Sequence, residues 1–245
     1  MSLPQAMELL GENWINANCN IGVSETDKVY MYDQKRSTQW VSENLALTMN
    51  ILFYDNLGNS VERDFNRIIL NNMQTGAKSI AFKYRKDGAW TYAGKIPGGT
   101  TDLDYVFSSS VPIIGDGVQL QFYDCDNLPR LGELKVCNSI FDMDALTSFE
   151  RKDYSKQGSY YVNSGSIVRW KEFAKKSGIL SIANLSKTDR DLVYTAIDAN
   201  DFFTIIFYED YDAKEIYEYA LTSMPSEVFD RKTQLFLMSL DLTER

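Results

Sequence analysis

The twelve residues SIAFKYRKDGAW, from Ser79 to Trp90, constrain the fold of this chain more than any other stretch. Ile80, Phe82 and Tyr84 fall on one side of an extended backbone and Ser79, Ala81 and Lys83 on the other, because side chains alternate every two residues along a strand. Asp87-Gly88 then supplies the backbone freedom that a tight hairpin turn requires. The stretch predicts two antiparallel strands with one buried face. Comparable pieces recur around it: Leu47 to Tyr54, Arg67 to Leu70, YVFSSSVPII and GVQLQFYD, separated by polar turn sequences such as DNLGN and NNMQTGAK. Short strands at near-regular spacing predict a β-sandwich.

The pattern changes after Val136. Residues IFDMDALTSFERKDYSKQGSYYVNSG are polar and aromatic without a clean period, which points to a segment crossing between domains. Beyond it, SIVRWKEFA and SGILSIANLS predict strands. SKTDRDLVYTAIDAN predicts a helix with Ser186 as N-cap, Asp189 and Asp191 in its first turn, and Leu192, Tyr194, Ala196 and Ile197 on its apolar face. DFFTIIFYED, EIYEYALTSM and TQLFLMSLDLTE predict further strands. In the last of these Phe236, Met238, Leu240 and Leu242 share a wholly apolar side. A length of 245 residues leads to an expectation of two domains. The expected fold class is mainly β: a jelly-roll sandwich over residues 13–138, an interdomain segment over 139–160, and a β-rich domain with one main helix over 161–245. No internal repeat is visible.

The chain contains no histidine, which excludes Ser-His-Asp and Cys-His hydrolysis, His-ligated zinc and imidazole acid-base catalysis. Cys19, Cys125 and Cys137 are odd in number and lack C-x-x-C spacing, so they predict free thiols. A net charge of −9 disfavours nucleic acid as a partner. The apolar runs are too short for a membrane helix, and the N-terminal residues lack the cationic start and apolar core of a signal peptide, so synthesis in the cytoplasm is expected.

With histidine absent, the acidic clusters are the remaining source of metal ligands. Asp142 and Asp144 stand two apart, and Glu209, Asp210, Asp212 and Glu215 lie close together, but neither set carries the glycine of a calcium loop, and both read as solvated turns. PGGTTD lacks the following lysine and helix of a phosphate cradle. Ser155-Lys156 does not by itself make a catalytic dyad. Trp90 and Tyr92 in AWTYAG are the candidate ligand-binding residues, since exposed rings stack on sugars; core packing is the competing role. No catalytic residue, metal or cofactor is expected.

Several pieces in order, ANCNIGVSETD, YDQKRSTQW, DFNRIIL, IAFKYRKDGAWT and LGELKV, resemble the discoidin, or galactose-binding-like, jelly-roll family over residues from about Asn13 to Asn138. The resemblance implies that Trp40, which closes the S-T-x-W loop, is a structural core anchor. Where many family members hold calcium with an aspartate-glycine-aspartate loop, this chain keeps Asp33 but has Gln34 and Lys35. The family's sugar-binding histidine is missing as well. In the second half, YYVNSGSIVRWKEFAKKSGILSIANLSKTDRDLVY, the strand DFFTIIFY and the ending LDLTE look like tail and baseplate components of bacteriophages and prophages. That resemblance implies a non-enzymatic structural protein of the virion tail, partnered by other tail proteins and by copies of itself through β edges. The alternative of a different class is a carbohydrate-binding module with an accessory β domain, its partner a glycan.

Overall fold

The computed structural model describes residues 6–22, 28–32, 39–45, 47–74, 76–97, 103–143, 148–161, 167–198, 203–208 and 214–244. The chain divides into two compact units, Glu12–Ser139 on one side and Met1–Gly11 with Ile140–Arg245 on the other. The first strand, β1 (Ala6–Leu10), belongs to the second of these.

The Glu12–Ser139 unit contains β2 (Asn20–Ile21), β3 (Trp40–Val41), β4 (Leu47–Leu52), β5 (Arg63–Met73), β6 (Ser79–Lys86), β7 (Ala89–Pro97), β8 (Leu103–Gly115), β9 (Gly117–Tyr123), β10 (Arg130–Leu131) and β11 (Glu133–Cys137). These form a five-stranded sheet in the order β2-β4-β9-β6-β7, a three-stranded sheet in the order β11-β5-β8, and a short β10-β3 pair. The architecture is a β-sandwich of the jelly-roll kind. Its core is the inward half of each alternating strand: Met49, Ile51, Ile80, Phe82, Val118 and Leu120 from the larger sheet meet Phe65, Ile68, Leu70, Leu134 and Val136 from the smaller. Phe82 stacks on Phe107 across the two layers, ring centroids 4.8 Å apart. A Cβ on Gly94 would stand 2.7 Å from the Phe107 ring, so glycine there is what admits the stack.

Glycine also governs the place where the chain changes sheets. β8 ends at Gly115 and β9 begins at Gly117, with Asp116 between. A Cβ at Gly115 would lie 2.5 Å from the carbonyl oxygen of Arg85, and one at Gly117 would lie 2.5 Å from that of Ile51. Only a residue without a side chain lets the crossing turn lie this close to both neighbours. At the start of the unit, Asn13 acts as a clamp: its Oδ1 accepts from the backbone N–H of Ile15 and of Val136, and its Nδ2 donates to the carbonyl of Leu134. Trp40 pairs with Leu131, is only 6% exposed and belongs to the core. Asp33, Gln34 and Lys35 lie outside the described residues.

The remaining strands are β12 (Ser139–Met143), β13 (Ser148–Tyr161), β14 (Ile167–Leu185), β15 (Phe203–Tyr208), β16 (Lys214–Leu221), β17 (Ser226–Asp230) and β18 (Leu235–Glu244), with helix α1 at Lys187–Asp198. They join β1 in an eight-stranded sheet ordered β12-β1-β15-β16-β18-β14-β13, and β17 pairs with β18 beside that path. Met238, Leu240 and Leu242 are buried as the final apolar alternation predicts. Ser186 caps α1: its Oγ accepts from the Asp189 N–H at 3.1 Å, and the Asp189 carboxylate accepts from the Ser186 N–H at 3.3 Å.

Four features differ from the sequence expectation. Of residues 139–160, expected as an interdomain segment, Ser139–Met143 form strand β12 and the residues from Ser148 on belong to strand β13 of this sheet. The two strands expected around Lys175 are one strand of 19 residues, paired with β13 from Ile167 to Ser181. On α1 the buried residues are Val193, Ala196 and Ile197, whereas Leu192 is exposed, because the i, i+3, i+4 stripe starts one residue later than expected. Ala6–Leu10, to which no element was assigned, pairs antiparallel with β15.

Candidate functional site

The outward half of the five-stranded sheet is a built surface. Strand register aligns Tyr92 of β7, Lys83 of β6, Gln119 of β9 and Asn50 of β4 in one cross-strand row. The adjacent row holds Trp90 opposite Arg85, and the row on the other side holds Ala81, Gln121 and Thr48. Four strands at the usual spacing place Tyr92 about 14 Å from Asn50. The alternation keeps these side chains together and away from the core, since Phe82, Leu120 and Ile51 occupy the intervening inward positions. A bulge opposite Phe82 adds one residue to β7, so that Ala93 and Gly94 face inward while Tyr92 keeps to the outer side.

Two separate hydrogen bonds hold amide side chains on this face. Gln119 Nε2 donates to Asn50 Oδ1 at 2.7 Å, and Tyr123 OH donates to Gln121 Oε1 at 2.8 Å. These bonds hold the amides in fixed rotamers and leave the Nδ2 hydrogens of Asn50 and the Nε2 hydrogens of Gln121 directed elsewhere. Arg85 is oriented by Asp116, 3.6 Å away across the sheet-crossing turn. Tyr92 is 58% exposed and Trp90 partly so, and their rings stand two residues apart on the edge strand. The surface therefore offers flat apolar rings beside oriented amide donors and acceptors. That combination suits a ligand with an apolar face and many hydroxyls.

Other parts of the molecule offer less. Burial pushes the Cys19 thiol above its ordinary range, and burial, reinforced by Asp124 and Asp126, does the same to Cys125, so neither is held as a thiolate nucleophile. Asp55 is held below the usual carboxylate range, first by the side chain of Asn59. Its oxygens also accept from the backbone N–H groups of Leu57 and Asn59, so the carboxylate is used by its own turn. No group of three or more His, Cys, Asp or Glu side chains is placed to hold a metal among the described residues. In the second unit an open cleft of about 390 Å³ is lined by Ser177, Ile179, Thr222, Asp241 and Thr243; Asp241 accepts there from Ser223.

Of the residues singled out in the sequence, Trp90 and Tyr92 lie on this outer face and Trp40 lies in the core. Asp144, Glu209, Asp210 and Asp212 fall outside the described residues. Asp142, Ser155, Lys156 and Glu215 lie in strands whose backbone alone is described there. Lys83, Arg85, Gln119, Gln121 and Asn50 were not singled out as site residues. Their signal is the polar half of each alternation, as in SIAFKYRK and GVQLQFYD, but the register that brings them side by side is not written in any one segment.

No protein-family model matches the chain, and no curated protein matches it. Solved structures similar to it include the family 32 carbohydrate-binding module of Clostridium perfringens NanJ in complex with galactose. That module is 12% identical, with a TM-score of 0.42, over 54% of this chain and 98% of the module. The family 32 carbohydrate-binding module of Streptococcus pneumoniae EndoD is 15% identical, with a TM-score of 0.40, over 51% of this chain and 98% of the module. The C-terminal domain of a Bacteroides fragilis chitobiase is 14% identical, also with a TM-score of 0.40, over 51% of this chain and 96% of that domain.

Proposed function

We propose that this chain is a non-catalytic glycan-binding protein that holds a saccharide against the outer face of the β2-β4-β9-β6-β7 sheet. One observation carries the reading. Two aromatic rings, Trp90 and Tyr92, share a sheet face with amide side chains oriented by two hydrogen bonds, Gln119 to Asn50 and Tyr123 to Gln121. Rings would take the C–H face of a sugar, and the amides would take its hydroxyls. Isothermal titration of the full chain against a saccharide panel tests this. Tyr92→Ala is expected to weaken binding by about tenfold or more, the scale of an aromatic anchor at about 1.4 kcal/mol, with no change in melting temperature. Binding that is indifferent to both Tyr92→Ala and Trp90→Ala contradicts the placement.

A second reading is a structural component of a phage or prophage tail or baseplate, assembling through β edges. The observation that favours it is β17, which pairs only with β18 among the described residues and is exposed throughout, with Val228 64% and Phe229 48% accessible. An exposed apolar edge is a template for another strand. Light scattering across a concentration series decides this reading. A closed ring that Val228→Lys dissolves supports it, and a monomer at every concentration speaks for the glycan-binding reading alone.

A further inference from the structure

We infer that the sheet face selects acidic saccharides, an inference that rests on the glycan-binding reading above and names its ligand class. None of the residues in β2, β4, β6, β7 and β9 is Asp or Glu, whereas Lys83, Arg85, Lys86 and Lys95 all lie in these strands. The chain carries 34 acidic residues and a net charge of −9. Within that anionic background the five-stranded sheet is a cationic island. The opposing sheet is balanced: Arg63, Arg67 and Lys135 are matched by Asp64, Asp104 and Glu133. Charge has thus been segregated between two sheets that share one core.

Register gives each ring a cationic neighbour. Lys83 lies directly opposite Tyr92, and Arg85 directly opposite Trp90. Side chains so paired begin about 4.5–5.5 Å apart. Arg85 is partly neutralised by Asp116, but no ion-pair partner for Lys83 occurs among the described residues. The Lys83 ammonium is therefore the charge available to a ligand lying on Tyr92. A sugar ring bearing a carboxylate or sulfate presents an apolar face and an anion within one residue, which is the pairing that Tyr92 and Lys83 offer. The amides of Asn50, Gln119 and Gln121 beyond them suit neutral hydroxyls better than a further row of phosphates. A nucleic acid strand would also meet the long-range repulsion of the chain's net charge more strongly than a short acidic sugar would.

The test is isothermal titration of the full chain with matched pairs, trigalacturonate against neutral galactotriose and sialyllactose against lactose, with octathymidylate as a non-saccharide polyanion. In at least one pair the acidic member is expected to bind about tenfold more tightly at 0.1 M salt, and the gap to shrink at 1 M salt as the screening length falls from about 10 to about 3 Å. Lys83→Met keeps the aliphatic stem and should weaken the acidic member by about threefold to fivefold, the range of an exposed ion pair, so that the acidic-to-neutral affinity ratio falls. An unchanged melting temperature for Lys83→Met shows that the fold is intact. If neutral members bind as tightly as acidic ones and Lys83→Met changes nothing, the selectivity is overturned and the glycan-binding reading stands. If no saccharide binds, both fall. Tighter binding of octathymidylate than of any sugar overturns the assignment to saccharides.

Discussion

On the five-stranded sheet the outward positions Tyr92, Lys83, Gln121 and Asn50 meet solvent wholly or in part, while Gln119 and Ala81 between them are buried. On the three-stranded sheet the outward positions Ile69, Asn71, Glu133 and Lys135 are all buried, at 0, 1, 0 and 3% exposure. Both sheets obey the same two-residue alternation, and both turn their other half into one shared core. Alternation thus settles which side chains share a face. Whether that face meets water is settled by packing that the strand itself does not encode. On the smaller sheet the buried charges are matched: Lys135 Nζ lies 3.6 Å from Glu133 Oε1, and Asn71 Nδ2 donates to Glu133 Oε2 at 3.4 Å. On the larger sheet the strand charges are of one sign, and Lys83, Arg85 and Lys95 are on the outward side. The first arrangement satisfies charge that is buried, and the second leaves charge facing solvent.

The sharpest way to break this comparison is a pair of equivalent substitutions. Lys135→Met removes the ammonium that lies 3.6 Å from the buried Glu133 carboxylate and is expected to cost about 3–5 kcal/mol in urea unfolding, whereas Lys83→Met on the exposed face should stay within about 0.5 kcal/mol. Equal effects at the two positions would erase the distinction between the faces. A somewhat smaller loss is expected where the chain passes from one sheet to the other: Gly115→Ala and Gly117→Ala each drive a methyl group against a carbonyl oxygen and should cost about 1–3 kcal/mol by the same assay. In the second unit Ser186→Ala removes the cap of α1 and should cost about 1 kcal/mol, read as a lower melting temperature, with saccharide binding by the sandwich unaltered.

The smallest effect is a pH dependence at the tip of the sandwich. Because the carboxyl of Asp55 is held below its ordinary range by Asn59 and the turn backbone, its contribution is present above the unfolded-state value of roughly 4. It is lost as pH falls through the lower folded value. Acid titration of stability should therefore show a slightly shallower fall in Asp55→Asn than in the parent chain.

Much of the sandwich is legible in the sequence for a physical reason: its strands are short, amphipathic and ended by turn residues. Ile80, Phe82, Val118 and Leu120 announce their inward side, and Asp87-Gly88 announces the hairpin between β6 and β7. The capped helix after Ser186 is legible by the same local logic. What escaped is long-range. Glu133 and Lys135 sit in ELKVC as though one side of that strand were wet, yet the strand is buried on both. Ala6–Leu10 finds its partner nearly two hundred residues away in β15, a pairing that its five residues do not specify. Residues 139–160 lack a clean alternation, so β13 could not be recognised without β14 beside it. Of the candidate site, the two rings were visible as aromatics in a polar hairpin. The row joining them to Lys83, Gln119 and Asn50 exists only once four strands are in register.

The central claim, that the outer face of the five-stranded sheet is where ligand is held, is tested most directly by titrating the isotope-labelled chain with its best-binding saccharide and following backbone amide shifts by NMR. The account predicts saturating shifts concentrated at Lys83, Tyr92, Gln119 and Gln121, with the second unit unmoved. Shifts confined to loops at the ends of the sandwich or to residues of the second unit, with the β6, β7 and β9 amides unchanged, would contradict it.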